Sequence, residues 1–164
     1  MKKRLMQKSD SLSGFMTVEK DSIRGFRIIS RVFDNRHFII LRYERPDVVL
    51  VNKCFNRLNY KHGLGETWFI TDVAGNIFSL SFRMFPWLRY RSMLFEKGVD
   101  RDFCRSSLKD RFGCISVNPK NVKSDYPVGN YLYRVNESAS NMELKNNLCR
   151  LLFGCKNVQE VGRR

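Results

Sequence analysis

Short apolar runs separated by turn-forming residues dominate the first half of the chain. Residues 25–33 and 37–43 are rich in strand-forming side chains and flank a polar turn at 34–36, which predicts a β-hairpin. After a proline break, the apolar run 48–51 predicts a third strand, and residues 52–65 look like a loop. Three strands in succession predict an antiparallel β-meander.

A second hairpin is the clearest feature of the pattern. Residues 67–71 and 76–82 carry aromatic and β-branched side chains, and they flank the turn-forming run 72–75, which ends in glycine. These two runs are therefore expected to pair as neighbouring antiparallel strands.

Beyond this hairpin the pattern becomes helical. Pro86 suits the first position of a helix over 87–97 that stops at Gly98. Asp100 or Asp102 can cap a second helix, which is expected to end at Gly113. Its apolar side would carry Phe103, Leu108 and Phe112. Residues 114–138 are irregular, with a short strand expected within 128–135.

The last helix has the most complete signals. Ser140 and Glu143 have the spacing of a capping box, and Gly154 stands where a helix stop belongs. One face carries four leucines at helical spacing: Leu144, Leu148, Leu151 and Leu152. The opposite face carries Glu143, Asn146, Asn147 and Arg150. A short extended run at 158–161 and a basic turn follow.

These elements predict an α+β fold with hairpins in the N-terminal half and about three helices in the C-terminal half. They also suggest a division of the chain into three parts. Residues 1–20 form a mobile basic arm, 21–65 a β-rich subdomain, and 66–164 an α+β region.

The charge balance narrows the classes of partner. The 164 residues include 30 Lys and Arg against 16 Asp and Glu, a formal net charge of +14. A polyanion such as nucleic acid is the usual partner of so basic a chain, because phosphate contacts release bound counterions. A protein that is merely basic throughout would have the same composition.

Cysteine usage and hydropathy suggest a setting inside the cell. Five scattered cysteines form no C-x-x-C pair, and only two histidines are available, so neither a zinc site nor another cofactor is expected. Reduced thiols are typical of the cytoplasm. No apolar run has the length of a membrane span, so no membrane association is expected.

Residues 66–164 resemble the winged-helix DNA-binding domain of OmpR/ToxR-type regulators. The order of hairpin, two glycine-terminated helices, loop, third helix and basic strand is similar to that family, as are residues 93–103 at the helix–turn–helix entry. The resemblance implies a transcription regulator that binds DNA. Assembly as a homodimer stays open.

The same resemblance implies a set of DNA-contacting residues. The third helix would act as recognition helix, with Lys145, Asn146, Asn147 and Arg150 facing the major groove. Lys156, Arg163 and Arg164 would contact phosphates and position the domain without reading sequence.

Two other classes of function stay open. A small basic nuclease could use His62, Glu66 and Asp72, although no known catalytic motif is present. Alternatively, the protein could be an effector or inhibitor that docks on a host factor through aromatic anchors. The candidate anchors are Trp68, Phe85 and Trp87, if these side chains are exposed.

Overall fold

A computed structural model describes residues 17–21, 25–72, 74–117, 131–139 and 142–153. Within these ranges the chain has the expected mixed α+β composition, with antiparallel sheets and a strand-rich N-terminal half. The elements in chain order are β1 (Thr17–Asp21), β2 (Gly25–Ile29), β3 (Arg36–Arg42), α1 (Val48–His62), β4 (Thr67–Thr71), β5 (Ile77–Pro86), α2 (Trp87–Leu94), α3 (Arg101–Asp110), β6 (Cys114–Val117), β7 (Tyr131–Val135) and α4 (Met142–Phe153).

The strands form two antiparallel sheets, with the orders β1-β2-β6 and β3-β5-β4-β7. The predicted hairpin between 25–33 and 37–43 is therefore wrong, because β2 and β3 belong to different sheets. A single bridge between Arg31 and His37 connects the two segments. Asp34 and Asn35 both have positive φ in the short 3-10 turn before β3, and this turn redirects the chain.

The apolar run 48–51 is not a strand but the first turn of α1. The Asp47 carboxylate caps this helix by accepting the N–H groups of Val49 and Leu50. Gly63 ends it with φ 62°, a conformation that favours glycine. A buried stripe at i, i+3, i+4 and i+7 lies along the helix: Val51, Cys54, Phe55 and Leu58. Burial of this stripe outweighs the strand propensity of the valines.

The pairing of strands also crosses the predicted divisions of the chain. β1 begins at Thr17, so the last residues of the predicted arm belong to a sheet. β2 pairs with β6 and β3 pairs with β5, so both sheets combine strands from either side of residue 65. Residues 1–16 lie outside the described part of the chain.

Several local predictions are confirmed. β4 and β5 form the expected hairpin, whose turn is closed by the Asn76 N–H group donating to the Asp72 carboxylate. Asp100, rather than Asp102, caps α3 by accepting the N–H of Phe103. β7 lies inside the range expected for a short strand.

Helix ends are less accurately predicted. α2 begins directly after Pro86 but ends at Leu94, before the stop expected at Gly98. α3 ends with Arg111 in the left-handed conformation, before Gly113. The predicted Ser140 cap, the Gly154 stop and the strand at 158–161 lie outside the described residues.

Helices cover both faces of the four-stranded sheet. On one face, the ring of Phe55 from α1 packs edge-on against Phe69, with 5.2 Å between centroids. Phe78 points to the opposite face, since it neighbours Ser79, the register partner of Phe69. There it contacts Phe103 of α3 at 6.1 Å. The sheet is therefore buried on both sides and forms the centre of the core.

A polar junction joins the two sheets. Gly113, just before β6, donates its N–H to the Ser30 hydroxyl at 2.9 Å, and that hydroxyl bonds the ring of His37 at 3.1 Å. The buried Tyr90 hydroxyl donates to the carbonyl of Ile40 at 2.5 Å. A Cβ atom at Gly113 would lie 1.9 Å from the Tyr90 oxygen, so only glycine fits here.

We expect Gly113→Ala to lower the free energy of unfolding by about 1–3 kcal/mol, because the added methyl overlaps the Tyr90 hydroxyl. Tyr90→Phe removes that oxygen and one hydrogen bond, at about 1 kcal/mol. Urea denaturation of the two single variants and the double variant measures the coupling. The double variant should lose less unfolding free energy than the sum of the two single losses. Additive losses would contradict this contact.

His37 should make stability depend on pH. Burial, helped by the positive charge of Arg31, lowers its pKa from 6.5 to about 4. Between those pH values the unfolded chain binds more protons than the folded one, so the free energy of unfolding falls as the pH drops through this window. The total loss for this single group is about 3 kcal/mol.

The measurement is urea denaturation at several pH values, for the native chain and for His37→Gln. The difference in unfolding free energy between the two should shrink steadily from pH 6.5 towards 4. Carboxylates and His62 titrate in both proteins and cancel in that difference. A constant difference would show that His37 is protonated equally well in the folded and unfolded chain.

Candidate functional site

Lys145, expected to face a DNA groove, is instead buried in the protein. Its ammonium group donates to Glu66 Oε2 at 2.6 Å and to the carbonyl of Ser138. The side chains of Lys145 and Glu66 are 1% and 3% exposed. Lys145 therefore fixes α4 to the segment before β4 and is not available to a ligand. The expectation fails because Lys145 lies on the buried face of α4, at i, i+3 and i+4 with Leu148 and Cys149, and its ammonium group pairs there with the buried Glu66 carboxylate.

The other residues of the expected recognition helix differ in exposure. Asn147 is buried and Asn146 half-buried, whereas Arg150 is exposed at the surface. All three have interaction partners within the protein. Lys156, Arg163 and Arg164 lie outside the described residues. Of the predicted contacts on α4, Arg150 is thus the most accessible.

Carboxylates elsewhere in the fold already have structural roles. Asp47 caps α1, and Asp100 caps α3 while pairing with Arg42 at 2.5 Å. Glu96 receives hydrogen bonds from Lys61 and Arg57, which hold the pKa of its carboxyl below the ordinary value despite its burial. These carboxylates already have hydrogen-bond partners, so they are not available to neutralise other basic side chains.

Three arginines without such a partner line one concave pocket. Arg36 from β3, Arg83 from β5 and Arg89 from α2 border a cavity of about 560 Å³, which we call the arginine pocket. Within the part of the chain that the structure describes, none of them forms a salt bridge with a carboxylate. Glu66 also borders the pocket, but its charge is balanced by Lys145.

The pocket is assembled at a junction of strand and helix. Arg36 pairs in register with Pro86, the last residue of β5 and the cap of α2, so it lies near the start of α2. Arg83 and Arg89 lie on the two sides of Phe85 in sequence, and both guanidinium groups contact its ring, at 5.6 and 5.7 Å from the centroid. The ring of Phe85 thus contacts two positively charged guanidinium groups.

Further hydrogen bonds hold these arginines in place. Arg83 donates from Nη1 to the carbonyl of Gly63 at 2.8 Å. The Nε of Arg89 lies 3.4 Å from Nδ1 of His62 and donates to it. Two of the three guanidinium groups are therefore positioned before any ligand arrives, which reduces the entropy cost of binding an anion.

The three residues considered for a nuclease site have structural roles in the fold. Glu66 is paired with Lys145, and Asp72 closes the β4–β5 turn. Burial, together with the positive charges of Arg89 and Lys61, lowers the pKa of His62. The neutral form of His62 is therefore favoured, and it can accept the hydrogen bond from Arg89.

The aromatic residues considered as protein-binding anchors are largely inside the protein. Trp68 and Phe85 are buried and Trp87 is half-buried. The indole N–H of Trp68 has no hydrogen-bond partner among the described residues, and neither has Oε1 of Glu66. Trp68 and Phe85 cannot serve as exposed anchors, because both fill the core.

Sequence reasoning missed the arginine pocket because its parts are distant in the chain. Arg36 is separated from Arg83 by 47 positions (83 − 36), and only the pairing of β3 with β5 brings them together. The local signal was the segment 83–89, where two arginines flank a Phe-Pro strand-to-helix junction. The local pattern of that segment predicts a helix start and not a site.

The described residues include no metal-binding cluster and no helix that could span a membrane. No group of three or more His, Cys, Asp or Glu side chains there could hold a metal ion. Cys54, Cys104, Cys114 and Cys149 carry reduced thiols. Among the described helices, none combines the length and the apolar character needed to cross a membrane.

Comparisons of the chain with protein families, with curated proteins and with solved structures found no match.

We expect Lys145→Met to lower the free energy of unfolding by about 3–5 kcal/mol, because it leaves the Glu66 carboxylate buried without its counter-charge. Chemical denaturation measures this loss. The matched control is Arg150→Met on the exposed side of the same helix, which should cost less than about 1 kcal/mol. Similar losses in both variants would contradict a structural role specific to Lys145.

Proposed function

We propose that the protein is a regulator that binds nucleic acid, with DNA favoured over RNA, and that the arginine pocket contacts backbone phosphate. The observation that supports this most directly is the convergence of Arg36, Arg83 and Arg89 on one concavity without a neutralising carboxylate among the described residues. Like charges gathered around Phe85 repel each other, and a bound phosphate would relieve that repulsion.

The overall charge supports the same proposal. A chain with a net charge of +14 attracts polyanions over a distance set by ionic strength. Because Asp47, Asp72, Glu96 and Asp100 act as helix caps, turn residue and salt-bridge partners, they do not neutralise the arginines of the pocket. The reduced thiols of the described cysteines also suit a reducing compartment, in agreement with the cytoplasmic setting expected from the sequence.

The winged-helix arrangement stays a prediction, because its wing would lie beyond residue 153. In that arrangement Arg150 would contact DNA together with Lys156, Arg163 and Arg164. The burial of Lys145 and Asn147 reduces the number of groups that α4 could offer to a groove. We therefore place the main phosphate contact at the arginine pocket and treat α4 as a second surface to be tested.

Replacing two pocket arginines should weaken binding and lower its dependence on salt. We expect Arg36→Gln/Arg89→Gln to bind a DNA duplex about tenfold more weakly, with the slope of log K against log salt reduced by about two, one per lost phosphate contact. Fluorescence anisotropy across a salt series measures both quantities. This pair leaves the hydrogen bond from Arg83 to Gly63 intact.

The matched control is Arg101→Gln/Arg105→Gln, which removes the same charge from two exposed arginines of α3 outside the pocket. Its salt slope should stay near that of the native chain. Equal losses in both double variants would mean that the charge acts without a defined site. If Asn146→Ala/Arg150→Ala alone abolishes binding, the contact surface is α4.

A protein-binding function is the second candidate, and one surface feature favours it. Val48, Val49 and Leu50 are consecutive apolar residues on the first turn of α1, and all three are exposed, Val49 to 62%. Exposed apolar clusters often mark contact sites for other proteins. A complex formed there should resist high salt and be weakened by Val49→Ser, whereas a nucleic-acid complex should dissociate in salt.

A further inference from the structure

The arginine pocket has more donors than a phosphate within a nucleic-acid chain can use. An internal phosphodiester offers two unesterified oxygens, whereas a terminal phosphomonoester offers three and carries about −1.5 to −2 charges at pH 7. Each arginine presents up to five N–H groups in a planar fork. Three guanidinium groups around one cavity therefore match the terminal group better than the internal one.

The start of α2 adds positive electrostatic potential near the same wall. Pro86 is the N-terminal cap of this helix and borders the pocket, and it supplies no side-chain cap hydrogen bond. The first N–H groups of a helix lack partners within the helix and favour anions. This helix start adds to the three arginines and does not make a site by itself.

The size of the cavity also suits the end of a nucleic-acid strand. The cavity volume of about 560 Å³ lies within the range of small-molecule sites, about 300–1,000 Å³. A concavity of this size has room for a terminal nucleotide.

We propose that the arginine pocket binds the terminal phosphomonoester of a nucleic-acid strand, through Arg36, Arg83 and Arg89 together with the start of α2. This inference rests on the proposed nucleic-acid function and narrows it to strand ends. The same chemistry occurs at a 5′-phosphate and at a 3′-phosphate, so both ends belong in the test.

The experiment is a competition assay with short single-stranded DNA oligonucleotides against an internally labelled probe. The competitors carry a 5′-phosphate, a 3′-phosphate or hydroxyl groups at both ends. A hydroxyl-ended strand one nucleotide longer has as many phosphate groups as the phosphorylated strands, and so controls for phosphate number. We expect at least one phosphorylated strand to compete about tenfold better than that control, and the preferred end identifies the source.

Two protein variants complete the test. The preference should disappear in Arg36→Gln/Arg89→Gln and persist in Arg101→Gln/Arg105→Gln. If all strands compete equally while the pocket variant weakens every one of them, the terminal-phosphate proposal is overturned and nucleic-acid binding stands. If the pocket variant changes nothing for any strand, both proposals fail at this pocket.

Discussion

The buried ion pair between Lys145 and Glu66 links the last described helix to the central sheet. Removing two charges from water is costly, and their mutual attraction together with further hydrogen bonds offsets that cost. The carbonyl of Ser138 provides one such bond to Lys145. The pair sets the position of α4 and also balances the one carboxylate that borders the arginine pocket. The net positive charge of the arginine pocket therefore depends on Lys145, which does not itself line the pocket.

The acidic and the basic side chains have different roles in this arrangement. Acidic side chains serve the fold, as caps at Asp47 and Asp100, as the turn residue Asp72 and as the ion-pair centre Glu96. Arg36, Arg83 and Arg89, which form no ion pair with a carboxylate among the described residues, lie where strand β5 runs into α2. Arg83 and Arg89 are held there by the ring of Phe85 and by neighbouring polar atoms. The acids thus leave positive charge uncompensated at this junction, which is where we propose nucleic-acid binding.

Local signals predicted some elements well and others poorly. The β4–β5 hairpin and the Asp100 cap followed from short-range chemistry, because turn and cap residues act on backbone groups within a few positions. The helix α1 was missed because its first residues are valines with strand propensity. Its buried stripe from Val51 to Leu58 was visible as a helical period but lay among polar residues. For that segment burial against Phe69 outweighed local preference.

The sequence by itself determined the α+β class, the most local turns and caps, and a surplus of positive charge. Only the tertiary structure decided that β2 and β3 belong to different sheets, that Lys145 lies inside, and that Arg36 lies beside Arg83 and Arg89. The physical reason is the range of the interactions. Caps and turns depend on neighbours in the chain, whereas strand pairing and charge burial depend on residues dozens of positions away, which no local pattern encodes.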